Sequence, residues 1–176
     1  MIVPADNIIL IGMAGVGKST VGVLLAKELS RGFVDTDLVI QSAEGCCLQD
    51  IIDARGLESF CRVEEKHLLG LNCRGCVIAT GGSAVYSRAA MTHLRGGGII
   101  IHLDLSLEII ERRVQNLRTR GLVIEKGQTL AGLYHQRLPL YKQWADITIA
   151  CDDKTQDEIV AAIASRLAET DAAPRR

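Results

Sequence analysis

The chain has 176 residues, enough for one compact α/β domain with a full core and too few for two ordinary domains. Its hydrophobic share is 48% but its aromatic share only 3%, so the core must be built from Val, Ile, Leu and Ala. A net charge of −1, with both signs spread along the chain, excludes a basic face for nucleic acid and a polybasic segment for a lipid surface. Small molecules are the expected partners of what reads as a monomer. No segment approaches the roughly 20 apolar residues of a membrane span, and the N-terminus lacks the pattern of a signal peptide. The expected location is the cytoplasm, where the six cysteines are expected as thiols.

Five strands are expected, alternating with segments of helical period, which is the pattern of βαβ units and a mostly parallel sheet covered on both faces. The first is Asn7 to Ile11. It runs directly into Gly12-Met13-Ala14-Gly15-Val16-Gly17-Lys18-Ser19-Thr20, which satisfies the pattern G-x-x-x-x-G-K-S of a P-loop between a strand and a helix. In such a loop consecutive backbone N–H groups turn inward around a β-phosphate, and the following helix aims its positive end at the same anion. Gly12, Ala14, Gly15, Val16, Gly17, Lys18, Ser19 and Thr20 are therefore the candidate ATP-binding residues, with Lys18 reaching the β- and γ-phosphates and the Ser19 hydroxyl ligating Mg²⁺.

A short second strand, Gly32 to Val34, ends at Asp35 and Asp37, which places both at the carboxyl end where open α/β sheets form their ligand crevice. In an extended chain i and i+2 point the same way. The pair could divide the labour, Asp35 holding Mg²⁺ through water and Asp37 accepting a proton from an attacking hydroxyl. The alternative is a pair of solvated turn residues or a helix cap. Helices at Leu38 to Ser42, Leu48 to Ala54 and Glu58 to Leu71 then form an insertion without a strand, about 38–71, suited to covering the strand ends.

The remaining strands are Cys76 to Ala79, Gly98 to Leu103 and Asp146 to Ala150. Ser106 is expected to cap a helix from Leu107 to Leu117, and Thr155 with Glu158 forms a capping box for a last helix through Leu167. Between them, Arg118 to Gln128 is rich in Arg, Gly and Lys, the composition of a mobile lid, and either Arg118 or Arg120 could neutralise charge on a transferring phosphate. Residues 171–176 read as a disordered tail. Cys73-Arg74-Gly75-Cys76 has the spacing of half a zinc site, with no second pair to complete a tetrahedral set.

Taken together, these residues resemble the shikimate kinase family. The P-loop, Phe33-Val34-Asp35-Thr36-Asp37, then Gly56, Phe60 and Glu64, Gly81-Gly82, an Arg-bearing lid and Arg137-Leu138-Pro139-Leu140-Tyr141 carry the likeness along nearly the whole chain. The resemblance implies a single-domain P-loop kinase fold with a five-stranded parallel sheet, ATP and Mg²⁺ as cofactors, and phosphorylation of shikimate to 3-phosphoshikimate. It implies that Asp35 serves Mg²⁺, Asp37 contacts the acceptor's hydroxyls, Gly81 and Gly82 lie against the substrate, Arg137 binds its carboxylate and a lid arginine reaches the transferring phosphate. Arg137 has an argument of its own, because a planar guanidinium meets a carboxylate through two parallel hydrogen bonds; its alternative is a solvated charge at a helix end.

The chain departs from the family on the acceptor side. Cys61 stands at a substrate-binding position where the family has a second carboxylate-binding arginine, Ser83 replaces a third glycine and Leu57 a glutamate. Arg62 is next along the helix, but neighbouring helical residues diverge by about 100°. Glu64 is expected to lack the partner that arginine would be. Losing one arm of a carboxylate clamp costs on the order of 1.5 to 3 kcal/mol. Rival readings are a kinase for another small hydroxy acid or polyol, a nucleoside monophosphate kinase, or a nucleotide-binding regulator without turnover.

Overall fold

The computed structural model describes residues 6–115 and 128–172. Its frame is one five-stranded parallel sheet made of β1 (Asn7–Ile11), β2 (Gly32–Asp35), β3 (Cys76–Ala79), β4 (Gly98–Asp104) and β5 (Ile147–Ala150), in the order β2-β3-β1-β4-β5. Every residue of β1 is buried, as a central strand covered on both faces requires, and it pairs with β3 on one side and β4 on the other. Strand β5, at an edge, alternates buried and exposed residues.

Seven helices surround the sheet among the described residues: α1 (Lys18–Glu28), α2 (Thr36–Glu44), α3 (Leu48–Leu69), α4 (Arg88–Gly96), α5 (Leu107–Gln115), α6 (Leu130–Trp144) and α7 (Gln156–Ala172). Helix α1 turns Val21, Gly22, Leu25 and Ala26 inward, and packs on β3, β2 and α7. The main core joins these residues to the strand isoleucines and to Leu94, Leu133 and Tyr141. A smaller cluster of Ile40, Leu48, Ile51 and Phe60 ties α2 to α3 apart from it.

The strand boundaries agree with expectation to within a residue. At β5 the expected first residue, Asp146, lies outside the strand: its carboxylate and its N–H respectively accept from the N–H and donate to the carbonyl of Ile100, both at 2.8 Å. The helices of the insertion differ more. Helix α2 is longer than expected at both ends, while the two helices expected over Leu48 to Leu71 are present as the two halves of α3, separated at Gly56, whose φ of 78° and ψ of 164° break the helical path. Thr155 and Glu158 do form the expected capping box, each receiving the other's backbone N–H. Helix α7 continues to Ala172, so the first two residues of the expected tail are helical; 173–176 lie outside the described residues. So does the expected lid but for Gln128, and with it Arg118 and Arg120.

Candidate active site

The carboxyl ends of β1, β2, β3 and β4 converge on one crevice. From β1 the chain turns at Gly12, whose φ of 144° and close approach to the Leu103 carbonyl, 2.7 Å from where a Cβ would stand, leave room for no side chain. The loop ends at Gly17 in the left-handed region, and α1 begins with Lys18. Lys18 is buried, and its ammonium donates to the carbonyls of Gly12 at 2.7 Å and Met13 at 2.9 Å. Burial, partly offset by Asp37 and reinforced by the nearby Arg137, lowers its pKa to about 8. Ser19 and Thr20 are exposed at the start of the helix. From α5, Arg113 adds long contacts of 3.4 Å to the carbonyls of Gly15 and Val16.

Asp35 and Asp37 do not share an extended segment as expected. Strand β2 stops at Asp35, which caps α2 by accepting the Asp37 N–H at 3.0 Å. The reason is the helix terminus: its first N–H groups have no intrahelical partner, and a carboxylate at the cap satisfies one of them. Asp37 therefore reaches the crevice from the first helical turn. Its Oδ1 is buried without a hydrogen-bond partner among the described residues, and burial raises its pKa against the pull of Lys18.

Opposite the loop stands Gly81-Gly82, just beyond β3. A Cβ on Gly81 would lie 2.2 Å from Glu64 Oε1 and 3.0 Å from Asp37 Oδ1, and one on Gly82 would lie 3.0 Å from Arg137 Nη1. The glycine pair is thus flanked by two carboxyls and a guanidinium. Gly81→Ala tests this crowding: Glu64 is only 2% exposed and cannot swing away, so the substitution is expected to destabilise the fold by about 1–3 kcal/mol. A thermal midpoint equal to that of the parent chain would contradict it.

Arg137 is not a solvated helix-end charge. It sits in the middle of α6 and is 2% exposed, with its Nε donating to the Tyr86 hydroxyl at 3.1 Å and its guanidinium 5.2 Å from the Tyr86 ring centre. One turn on, the Tyr141 hydroxyl donates to the Gly82 carbonyl at 2.7 Å. Its ring stacks on His102, which burial holds neutral with a pKa lowered to about 4.

Glu64 does not lack a partner. Its Oε2 accepts from the Ser83 hydroxyl at 2.6 Å, while Oε1 is buried with no hydrogen-bond partner among the described residues. Burial raises its pKa to about 7. Cys61 faces a pocket of about 170 Å³ that Glu64, Ser83 and Tyr86 also line. Arg62 borders that pocket but is 67% exposed and ion-paired with Glu58 at 2.7 Å, as the angular argument expects.

The site thus brings together Gly12 to Thr20, Asp35, Asp37, Gly81, Gly82 and Arg137. Sequence reasoning passed over Tyr86, Tyr141, Ser83 and Arg113 as contributors. Tyr141 had a signal, since it stands four residues after Arg137 and so on the same face of a helix. Arg113 had none, because its contact spans 98 positions. An all-oxygen donor set, Ser19 together with the second oxygen of Asp35, suits a hydrated Mg²⁺. Chemically, the crevice offers an anion cradle on one side and, across from it, a carboxylate base and a buried guanidinium.

A family model described as shikimate kinase matches residues 14–168. Shikimate kinases of Thiobacillus denitrificans and Pasteurella multocida are 41% and 40% identical to the chain over 148 and 153 residues, covering 82% and 85% of it and 80% and 87% of those proteins. The solved structure of shikimate kinase from Acinetobacter baumannii in complex with shikimate matches with a TM-score of 0.89 at 29% identity, covering 96% of each chain.

Proposed function

The chain belongs to the shikimate kinase family, and from that premise we propose that its crevice transfers the γ-phosphoryl group of ATP to a hydroxyl of shikimate, giving 3-phosphoshikimate. The observation that carries this reading is that Asp37 and Arg137 flank the Gly81-Gly82 pair while Lys18, on the facing loop, feels the charge of both, the three coming from separate helices. The backbone N–H groups of the loop and Lys18 hold the terminal phosphates, and Lys18 gives up its carbonyl contacts to do so. Asp37 accepts the proton of the attacking hydroxyl. Arg137, fixed by Tyr86, binds the acceptor's carboxylate. Ser19 and Asp35 would hold Mg²⁺, which would supply neutralisation of phosphate charge. We assign this activity to a single cytoplasmic chain.

The test is ADP formation with shikimate, set against a panel of small hydroxy acids, polyols and nucleoside monophosphates. Turnover of shikimate above all others is expected, and turnover confined to another acceptor would end the reading. Arg137→Lys separates binding from chemistry. A point charge cannot reproduce the planar fork or the stack on Tyr86, so the KM for shikimate is expected to rise about tenfold to a hundredfold with the KM for ATP unchanged. An unchanged shikimate KM would remove Arg137 from the acceptor site.

A further inference from the structure

Glu64 is a buried carboxyl beside the crevice that the reaction above does not use. It is almost wholly buried on α3, and its two oxygens have different surroundings. Oε2 takes the Ser83 hydroxyl proton at 2.6 Å. Oε1 has no hydrogen-bond partner among the described residues and faces the Gly81 backbone on the flank that Asp37 also faces. A buried polar atom without a partner costs about 1–3 kcal/mol unless something else meets it. In this crevice the group available to meet it is the acceptor.

The charges around Glu64 decide which form of it does so. Lys18 from α1 and Arg137 from α6 favour its anion, while Asp37 from α2 and burial favour its acid. On its own helix Arg62 is turned to solvent and paired with Glu58, and Glu65 adds a further carboxylate that takes the Ser87 hydroxyl. Residue 61 on the same helix is a cysteine and supplies no cation. With Ser83 donating to Oε2, the proton of the neutral acid belongs on Oε1.

We propose that Glu64, oriented by Ser83, serves as a second acceptor-binding group that works in its neutral form, donating a hydrogen bond from Oε1 to an oxygen of the acceptor. Ser83 is a positioning residue. The acceptor's anionic end is then met by Arg137 and its neighbouring oxygen by a carboxylic acid, which compensates for the absence of a cation at position 61. When Glu64 starts as the anion, binding the acceptor takes up one proton from solvent onto Oε1. The inference rests on shikimate being the acceptor.

Glu64→Gln is the decisive variant, because its amide carbonyl can accept from Ser83 while its NH₂ donates at the Oε1 position at every pH. For the parent enzyme, kcat/KM for shikimate is expected to fall about tenfold per pH unit above about 7. In Glu64→Gln the fall between about pH 7 and 8 disappears, leaving only the loss at higher pH that Lys18 brings to both proteins, and at pH 6.5 its shikimate KM stays within about threefold of the parent. Ser83→Ala is expected to raise the KM about threefold to tenfold and, by removing a hydrogen bond that favours the anion, to move the alkaline fall to higher pH. Calorimetry of shikimate binding at pH 8 in buffers of different ionisation enthalpy should show uptake approaching one proton for the parent and none for Glu64→Gln. Parallel pH profiles for the two proteins, zero proton uptake by the parent, or a Glu64→Gln KM raised more than about tenfold at pH 6.5 with the thermal midpoint unchanged would each overturn the proposal. These results leave the kinase reading standing; failure of the parent to phosphorylate shikimate at any pH removes that reading and this inference with it.

Discussion

Lys18→Met is expected to lower kcat by about a hundredfold to a thousandfold, the range for removing one preorganised charge or donor from a developing anion. The lysine's burial sets the size of the effect. A desolvated ammonium whose pKa is lowered to about 8 interacts with phosphate in a low-dielectric cradle, where each charge counts for more than in water. Methionine has similar length and no charge, so the cradle keeps its shape and loses its cation. The fold itself should tolerate the change. Removing Lys18 leaves the Gly12 and Met13 carbonyls without that donor, which destabilises, but also removes a buried charge, which stabilises.

The charge term has a pH signature. Because the folded-state pKa is lowered from 10.5 to about 8, the unfolded chain holds more protons between those values, and stability of the parent rises with pH across that window. The gain relative to Lys18→Met should be on the order of 3 kcal/mol. Denaturant midpoints of the two proteins between pH 7.5 and 10.5 provide the measurement. Curves that stay parallel would show the ammonium to be solvated, and a kcat within fivefold of the parent would take Lys18 out of the reaction.

Asp37→Asn should be comparably severe for a different reason. The amide preserves shape but cannot take a proton, and loss of a general base costs about a hundredfold to ten-thousandfold in kcat. Neither substrate loses a cationic contact, so the KM for ATP should change little. In the parent, burial raises the Asp37 pKa, so the base form should be lost on acidification at a pH above the usual carboxylate range. Single-turnover measurements of phosphoryl transfer isolate this step from product release. A single-turnover rate matching the parent's would mean that another group, or none, accepts the proton.

How far the fold could be read in advance depended on how local each cause is. Strands β1 and β3 and the P-loop are legible because their signals lie within a few adjacent residues: an unbroken apolar run, then glycines, lysine and serine at fixed offsets. The capping box at Thr155 and Glu158 is legible for the same reason. The Asp35–Asp37 pair was legible as a pair but not in its geometry. Extension of β2 competed with capping of α2, and the capping hydrogen bond decided the outcome. The two helices either side of Gly56 were legible because a glycine interrupts the periodic run there, and its dihedral angles do break the helix. The Ser83–Glu64 contact crosses 19 positions and the Tyr141–Gly82 contact 59, and no periodicity in one segment reports a partner in another. Glu64 reads as unpaired in the sequence because Cys61 supplies no cation. Ser83, whose hydroxyl pairs with Glu64, is a neighbour only in the folded chain.

Tyr141 joins the two halves of the crevice through one side chain. Its hydroxyl holds the Gly82 turn and approaches the Met13 sulfur at 3.8 Å, and its ring lies on His102 of β4. A displacement of the loop at Met13 would be transmitted to the Gly82 backbone through this side chain and the reverse, so binding of nucleotide and of acceptor is expected to be thermodynamically linked. Reciprocity then fixes the size of the effect: whatever factor a bound nucleotide applies to the dissociation constant of the acceptor, the acceptor applies to that of the nucleotide. Tyr141→Phe, which keeps the stack and cuts the hydroxyl tether, should bring that common factor toward one.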